Sequence, residues 1–211
     1  MKPYYRDEYA TIYHGDCREI LPTLEKVDLV LTDPPYGIER SGQPETFTQK
    51  AKHKRKLHED FGWDSERPAR ETFDLILRVS GRQVIWGGNY FADFLPPSMG
   101  WFYWDKGQNG LSMSDGELAW TSEQRALRAI TINRGTLVGS SHPTQKPLRL
   151  IKWCLGFFPD ARTILDPFVG SGTTLRAAKD LGLQSIGIEI EEKYCEIAAE
   201  RLRQEVLAFA G

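Results

Sequence analysis

Short apolar runs alternate with stretches of helical periodicity along most of the chain. The apolar runs are rich in β-branched and aromatic residues and are bounded by Gly, Pro or Asp, which is typical of strands. Seven runs of this kind occur, at Ala10–His14, Val27–Thr32, Gln83–Trp86, Trp101–Trp104, Glu117–Thr121, Thr163–Leu165 and Ser185–Ile188. Strands that alternate with helices predict an α/β protein with a mainly parallel sheet.

Helical periodicity is clearest in the last third of the chain. One helix is predicted after Pro147, which suits a first helical turn, with Leu148, Ile151, Leu155 and Phe158 at helical spacing. A second is predicted from about Gly172 to Leu181, closed by Gly182. A third is predicted over Glu191–Phe209. Its buried stripe would comprise Tyr194, Ile197, Ala198, Leu202 and Val206.

One polar segment, residues 37–70, interrupts this alternation. It contains Gly, Pro and Ser, and its basic residues cluster at Lys50, Lys52, Lys54, Arg55 and Lys56. Long insertions in compact domains are usually functional or disordered. The segment is therefore either a basic loop that faces a nucleic acid or a solvated run of charge.

Composition narrows the class of protein without naming a partner. With 211 residues, 40% of them hydrophobic and 27% charged, the chain is expected to form a single soluble domain, residues 1–211, with a sizeable core. The net charge of −2 neither favours nor excludes a nucleic acid, because such a partner contacts a local patch. Cys17, Cys154 and Cys195 lie far apart, which predicts a reducing cytoplasm and no structural metal. Neither a signal peptide nor a membrane-spanning run is expected.

An acid, two prolines and a tyrosine, Asp33-Pro34-Pro35-Tyr36, follow the second predicted strand. Each proline fixes its φ angle and lacks a backbone donor, so this segment should form a rigid elbow where open α/β sheets bind ligands. The Asp33 carboxylate and the Pro34 carbonyl can then accept both hydrogens of an exocyclic amine, while the Tyr36 ring stacks on a planar base. The alternative is a plain proline-rich turn.

A glycine loop follows the predicted strand Thr163–Leu165. Gly170 and Gly172 permit close approach of the backbone to a ligand, and the helix that follows offers free N–H groups. The loop lacks the third glycine of the dinucleotide fingerprint and the lysine of a phosphate loop. Its full sequence is Asp166-Pro167-Phe168-Val169-Gly170-Ser171-Gly172-Thr173-Thr174.

Glu189 ends the next predicted strand, where a carboxylate can accept both hydroxyls of a ribose. Ile190 is either a face for adenine or a core residue. A glycine loop without a phosphate-binding lysine, followed by an acid for a ribose, suits a nucleoside that carries no phosphate. S-adenosylmethionine is the natural candidate.

Two shorter motifs complete the set. His142-Pro143-Thr144-Gln145-Lys146-Pro147 precedes a predicted helix, where backbone donors and the Lys146 charge would stabilise a carboxylate such as a methionine tail. His14-Gly15-Asp16-Cys17 ends the first predicted strand, where Asp16 either accepts from an adenine amine or simply caps a helix.

Taken together and in this order, the motifs resemble the β-type amino-methyltransferases of DNA. In that arrangement a catalytic Asp-Pro-Pro-Tyr precedes the cofactor loop Asp-Pro-Phe-x-Gly-x-Gly-Thr-Thr. The resemblance implies a Rossmann-like methyltransferase fold, with a seven-stranded, mostly parallel and circularly permuted sheet. It further implies methyl transfer from S-adenosylmethionine to the N6 amine of an adenine flipped out of double-stranded DNA. Ser is more usual than Asp at the first motif position in cytosine-N4 members, so Asp33 favours adenine.

The resemblance also implies site residues. The catalytic residues would be Asp33, Pro34, Pro35 and Tyr36. The cofactor would be bound by Asp16, Cys17, Thr144, Lys146, Asp166, Phe168, Gly170, Gly172, Thr173, Glu189 and Ile190. Neither a metal nor a covalent intermediate is implied.

The chain departs from the family in its recognition region, because residues 123–141 are too short for a conventional recognition domain. Recognition would then fall to residues 37–70, to the loop 106–116 and to Arg125, Arg128 and Arg134. The expected DNA contacts are Lys50, Lys52, Lys54, Arg55, Lys56, Gln108 and Asn109. Lysine contacts position more than they specify, which predicts a short or degenerate site and a strong dependence on salt.

Other functions stay open at this point. The nearest are a cytosine-N4 DNA methyltransferase and an RNA adenine methyltransferase, which share the cofactor pocket. A nicotinamide-dependent oxidoreductase and a non-catalytic DNA-binding protein are more distant. The chain is expected to be a monomer or a homodimer, and a role in restriction–modification is expected by likeness alone.

Overall fold

The computed structural model describes residues 1–38, 67–108, 114–133 and 145–204. In these ranges the chain forms nine strands and five α-helices. The strands are β1 (Tyr5–Arg6), β2 (Ala10–His14), β3 (Leu29–Thr32), β4 (Gln83–Trp86), β5 (Trp101–Asp105), β6 (Gly116–Thr121), β7 (Arg128–Thr131), β8 (Thr163–Asp166) and β9 (Gln184–Glu189). The helices are α1 (Cys17–Ile20), α2 (Arg70–Val79), α3 (Leu148–Leu155), α4 (Thr173–Asp180) and α5 (Glu192–Arg203).

All strands of the described residues lie in one mixed sheet, in the order β1-β2-β9-β8-β3-β4-β6-β5-β7. The strands β2, β9, β8, β3 and β4 are parallel, and β6 runs antiparallel between β4 and β5. These elements confirm the expected α/β class and all seven predicted strands. β8 comes late in the chain yet pairs with β3 at the centre of the sheet, as a permuted topology requires.

Two edge strands, β1 and β7, add to the seven that the sequence predicts. β1 has only two residues and pairs with β2 alone. β7, Arg-Ala-Ile-Thr, is mostly exposed and pairs with β5. Neither segment has an apolar run, because an edge strand need not bury both faces, so the hydrophobic pattern gives no signal for them.

The core lies on both faces of the sheet. Every residue of β3 and β4 is buried, as expected for central strands of a doubly covered sheet. α3 and α4 contribute to the hydrophobic cluster of Leu29, Leu31 and Trp86, and α1 and α2 to that of Val30 and Ile85. Among the described residues no helix is long and apolar enough to cross a membrane.

The predicted helices after Pro147 and Gly172 are confirmed, and Gly182 follows the second of them with a φ of +69°. The third prediction extended too far. α5 ends at Arg203, and Gln204 has an extended ψ of 128°. Residues 205–211, including Val206 and Phe209, lie outside the described residues. α1 and α2 were not predicted, because α1 has one turn and α2 adjoins the polar segment 37–70.

Candidate active site

A cleft opens beside the carboxyl ends of β3, β8 and β9, where open α/β sheets bind their ligands. The sheet order brings these ends together although β3 and β8 are far apart in sequence. Nine of the predicted site residues line the cleft: Asp33, Pro35, Lys146, Asp166, Phe168, Gly170, Thr173, Glu189 and Ile190. Pro34 and Tyr36 belong to the same elbow as Asp33.

Asp33 follows β3 directly, and about a third of its side chain is exposed. The Tyr36 hydroxyl donates to its Oδ1 at 2.5 Å, and the Lys146 ammonium donates to its Oδ2 at 2.5 Å. Lys146 Nζ is also 3.2 Å from the Tyr36 hydroxyl oxygen. Each carboxylate oxygen has two lone pairs, so Asp33 can still accept a hydrogen from a ligand in the cleft.

Tyr36 is held by aromatic residues that the motif analysis did not identify. Its ring stacks on Tyr90 at a centroid distance of 4.8 Å and meets the edge of Phe91 at 6.1 Å. Gly87 packs against the Tyr36 ring, with a φ of +68° and no room for a side chain, since a Cβ there would be 2.1 Å from a ring carbon of Tyr36. The only signal for this support in the sequence is the pair Gly87-Gly88 directly after a predicted strand.

Replacing Gly87 with alanine should therefore displace Tyr36. We expect kcat to fall by about tenfold, because a catalytic group moves by a fraction of an ångström or more, while cofactor binding changes little. Steady-state kinetics and calorimetric titration with the cofactor check this. Gly81→Ala is the matched control, since a Cβ there meets nothing within 4 Å. Full activity of Gly87→Ala would show that the position of Tyr36 does not matter.

Lys146 belongs to a buried chain of alternating charges. Its ammonium lies 2.9 Å from Glu117 Oε2, and Lys106 Nζ lies 2.7 Å from Glu117 Oε1. Burial by itself would raise the pKa of Glu117, but the two ammonium groups outweigh it and lower the pKa to about 2. Burial by itself would lower the pKa of Lys146, but Asp33 and Glu117 raise it above its usual value. Glu117 and Lys146 therefore stay charged near neutral pH.

Asp166 is an almost completely buried carboxylate that lines the cleft, with 3% of the residue exposed. Its Oδ1 accepts from the Thr32 hydroxyl at 2.7 Å and from the Phe168 N–H at 3.1 Å. Burial raises its pKa to about 6. No Lys, Arg or His of the described ranges forms an ion pair with it. A ligand with a positive charge in the cleft would stabilise its ionised form.

Glu189 shapes the glycine loop. Its Oε2 accepts from the Gly170 N–H at 2.8 Å, and its Oε1 accepts from the Glu191 N–H at 2.9 Å. Burial raises the pKa of Glu189. Gly172, with a φ of +79°, packs where a Cβ would lie 2.8 Å from the Cβ of Ala198, so this second glycine lets α4 approach α5. Gly172 does not line the cleft.

Ile190 and Arg201 complete the surroundings of the loop. Ile190 is 61% exposed and lines the cleft, so it is not a core residue. Arg201 of α5 donates to the Ser171 carbonyl and to the Thr173 hydroxyl, both at 2.9 Å. These hydrogen bonds link the glycine loop to α5. No motif predicts the contribution of Arg201, because it depends on how α5 packs.

Asp16 and Cys17 lie next to the cleft but do not line it. Asp16 caps α1 by accepting from the Arg18 N–H at 2.8 Å, and its carboxylate pairs with the Arg18 guanidinium at 2.5 Å. The Gly15 N–H donates to the Glu189 carbonyl at 2.9 Å, which keeps this turn beside the glycine loop. Cys17 is buried, which raises the pKa of its thiol to about 11.

Several of the predicted site residues fall outside the ranges that the structure describes. Thr144, Asn109 and the basic cluster Lys50, Lys52, Lys54, Arg55 and Lys56 lie outside the described residues, as do most of 37–70 and part of 123–141. Gln108 is described, and its amide donates to the Ser114 carbonyl at 2.8 Å across the loop 106–116. Lys106, the first residue of that loop, is buried in the charged chain.

The cleft has the chemistry that a nucleoside with a cationic tail requires. Asp166 offers a buried anion, Glu189 offers carboxylate oxygens and Ile190 offers an exposed apolar face. The indole Nε1 of Trp86, a fully buried residue that lines the cleft, has no hydrogen-bond partner among the described residues and can donate to a ligand. No group of His, Cys, Asp or Glu suited to a metal ion occurs in the described ranges. S-adenosylmethionine fits this set of groups.

Comparison with known proteins points to the same chemistry. A family model described as DNA methylase matches residues 85–200. The Type II methyltransferase M2.LlaDCHI of Lactococcus lactis subsp. cremoris is 26% identical over an alignment of 257 positions, gaps included. The alignment covers 96% of this chain and 93% of that protein. The Type II methyltransferase M.HinfI of Haemophilus influenzae is 28% identical over 258 residues, with 97% and 71% covered.

Solved structures of similar fold include the M1.HpyAVI–SAM complex, with a TM-score of 0.61, 25% identity and coverage of 92% of this chain and 100% of that one. The PvuII DNA methyltransferase, described as cytosine-N4-specific, has a TM-score of 0.64 and 18% identity, and 98% and 91% of the two chains are covered. At that identity the second comparison shows the fold alone.

Proposed function

Because the chain belongs to the DNA methylase family, whose model matches residues 85–200, we propose that it methylates the N6 amine of adenine in DNA. The methyl donor is S-adenosylmethionine. The observation that carries the proposal is the position of Asp33, which directly follows the central strand β3 and lines a cleft that Asp166 and Glu189 also line. A hydrogen-bond acceptor for an amine and the groups for a nucleoside cofactor thus share one cavity.

The chemistry follows from the weak nucleophilicity of the exocyclic amine, whose lone pair is shared with the ring. Bound cofactor supplies an electrophilic methyl group on a sulfonium. Asp33 accepts one N–H of the amine, and the Pro34 carbonyl would accept the other, so that electron density builds on nitrogen as the new C–N bond forms and the C–S bond breaks. The methylated nitrogen then releases one proton to a carboxylate oxygen of Asp33, which returns it to solvent.

The assignment of adenine depends on Asp33 itself. Asp at this position resembles the adenine-N6 members of the family, whereas Ser is more usual in cytosine-N4 members. The fold does not discriminate between the two, because the cytosine-N4-specific PvuII enzyme has a similar one. The stacked Tyr36 and Tyr90 rings offer an aromatic face at which a flipped base can stack.

The cofactor would be held by Asp166, Phe168, Gly170, Thr173, Glu189 and Ile190, with Gly172 supporting the loop and Asp16 and Cys17 nearby. Thr144, outside the described residues, stays a predicted cofactor contact. Asp166 would take the cationic methionine end, and Glu189 the ribose. Lys146 was expected at the methionine carboxylate. Its contacts with Asp33 and Glu117 support a role at the catalytic carboxylate instead.

DNA recognition would involve residues 37–70, 106–116 and 123–141. Gln108 is a described residue of the second of these segments, and Arg128 is exposed on the edge strand β7. A cytoplasmic location, a monomeric or homodimeric state and a role in restriction–modification stay predictions.

The decisive experiment is incubation with methyl-labelled S-adenosylmethionine and unmodified double-stranded DNA, followed by nucleoside analysis. We expect N6-methyladenine with the wild type and none above background with Asp33→Ala. RNA and cytosine-only DNA substrates run in parallel. Label in N4-methylcytosine or in RNA would replace adenine in DNA as the substrate, and absence of transfer to any of them with the cofactor bound would refute the proposal.

A further inference from the structure

The buried charges behind Asp33 form a continuous line. Lys106, Glu117, Lys146 and Asp33 follow one another at distances of 2.7 Å, 2.9 Å and 2.5 Å. Both lysine side chains are at least nine-tenths buried. Asp33, at the end of the line, is the most exposed of the four, with about a third of its side chain accessible. Ions are buried at considerable cost unless they are paired, so an arrangement of this kind in the interior calls for a reason beyond stability.

We propose that Glu117 is a positioning residue for the transfer of the methyl group, because it holds the Lys146 ammonium against Asp33 and shares its positive charge. This inference rests on the proposed function of Asp33. Lys106 neutralises Glu117 from the other side, so that the line of four charges is neutral overall.

Sharing the charge matters for the strength of Asp33 as an acceptor. An ammonium that faced Asp33 alone would draw electron density from the carboxylate and weaken its hydrogen bond to the amine of the base. With Glu117 on its other side, Lys146 fixes the direction of Asp33 without fully neutralising it. Glu117 thus acts on the reaction through Lys146 and touches no reacting atom.

Within the part of the chain that the structure describes, a few charged and titratable groups surround Lys146. Asp33 and the Tyr36 hydroxyl face it from the segment after β3, and Glu117 faces it from β6. The Trp86 ring lies 5.5 Å from its nitrogen. Two further groups are electrostatically coupled to this set: Cys154, whose thiol has a pKa raised by burial, and Asp166, whose pKa Asp33 helps to raise.

The test is Glu117→Gln, which removes the charge and keeps the shape. Lys146 then keeps one anionic partner in place of two, so its pKa should fall and it should lose its proton within the measurable range. We expect kcat to fall by about tenfold near neutral pH, with the KM for the cofactor changed by less than about threefold. An alkaline limb should appear in the pH profile of kcat below about pH 10, where the wild type has none.

Two further variants separate this role from a structural one. Lys106→Met leaves Glu117 to pair with Lys146 alone. The pH profile of kcat for this variant should therefore show no alkaline limb below about pH 10. Glu123→Gln makes the same chemical change just beyond the other end of β6. Among the described residues that side chain forms one ion pair, with Arg125 at 3.5 Å, so the variant should leave the pH profile unchanged. If Glu117→Gln folds poorly, the titration of Lys146 in Lys106→Met still tests the pairing. Loss of the second ammonium leaves Glu117 to Lys146 alone, so the pKa of Lys146 should rise, and an unchanged or lower pKa would contradict the pairing.

A readout independent of catalysis keeps this inference separate from the proposed function. The titration of Lys146 can be followed by the ¹³C resonance of its side chain, in wild type and in Glu117→Gln. A lower midpoint in the variant supports the pairing even if no DNA is methylated. An unchanged midpoint, or an equal loss of kcat at every pH, would overturn the proposal.

Discussion

Replacing Asp33 with asparagine is expected to lower kcat by about a thousandfold, equivalent to about 4 kcal/mol of transition-state stabilisation. Asparagine has nearly the same shape, so its carbonyl oxygen can accept from Lys146 while its amide donates to the Tyr36 hydroxyl oxygen. The local structure should therefore survive. What disappears is the anionic acceptor for the amine of the base, and with it the negative potential that favours charge transfer to nitrogen.

The measurement is single-turnover methylation of DNA, accompanied by calorimetric titration with the cofactor. The cofactor Kd of Asp33→Asn should change by less than about tenfold, because Asp166 and Glu189 remain in place. Asp160→Asn is the matched control, since Asp160 pairs with Arg82 at 2.8 Å and its side chain is 73% exposed. If Asp33→Asn kept more than about a tenth of the wild-type rate, Asp33 would not be the catalytic acceptor.

Much of the site could be predicted because its signals are local. Asp33-Pro34-Pro35-Tyr36 and the glycine loop each lie at the carboxyl end of a strand, and parallel strands bring such ends to one edge of a sheet. The sequence therefore placed Asp33 and Asp166 in the same cleft before any distance was known. The exposure of Ile190 decided between the two alternatives that its position left open.

The charged chain behind Asp33 could not be predicted, because it depends on pairing between distant segments. Lys106 and Glu117 meet because β5 and β6 are antiparallel neighbours, and Lys146 joins them from a segment that precedes α3. A lysine in the motif before a helix looked like a ligand for a cofactor carboxylate. Only the packing shows that two acids of the protein already surround it.

The edges of the fold were hard to predict for a different reason. β7 and the two-residue β1 are stabilised by pairing with a neighbouring strand, which leaves no periodicity in their own sequences. The helical pattern of α5 continues past Arg203 in sequence, although the helix itself ends there. Hydrophobic periodicity identifies what can be buried, and tertiary contacts decide where an element stops.

The second large effect is expected from Asp166→Asn, which should stabilise the cofactor-free protein and weaken cofactor binding. In the unfolded chain the carboxyl of Asp166 ionises near pH 3.8, whereas burial holds its pKa at about 6 in the folded protein. The folded state therefore loses about 3 kcal/mol of stability as the pH rises from about 4 to about 6, and above that the loss is constant. Asparagine removes this loss and can still accept from Thr32 and Phe168, because both donate to a single oxygen. Its amide can donate to the hydroxyl oxygen of Thr174, which hydrogen-bonds to the carboxylate in the wild type.

The same substitution removes the most deeply buried carboxylate of the cleft among the described residues, where the cationic end of the cofactor would bind. We expect the cofactor Kd to rise by about a hundredfold at pH 8, while the free energy of unfolding of the free protein rises by about 1 to 3 kcal/mol. In the wild type, cofactor binding should weaken below about pH 6, where Asp166 is protonated, and Asp166→Asn should lack this dependence. Urea unfolding and calorimetric titration at several pH values check both effects. A variant that is less stable at pH 8, or that binds the cofactor as tightly as the wild type, would contradict the role assigned to Asp166.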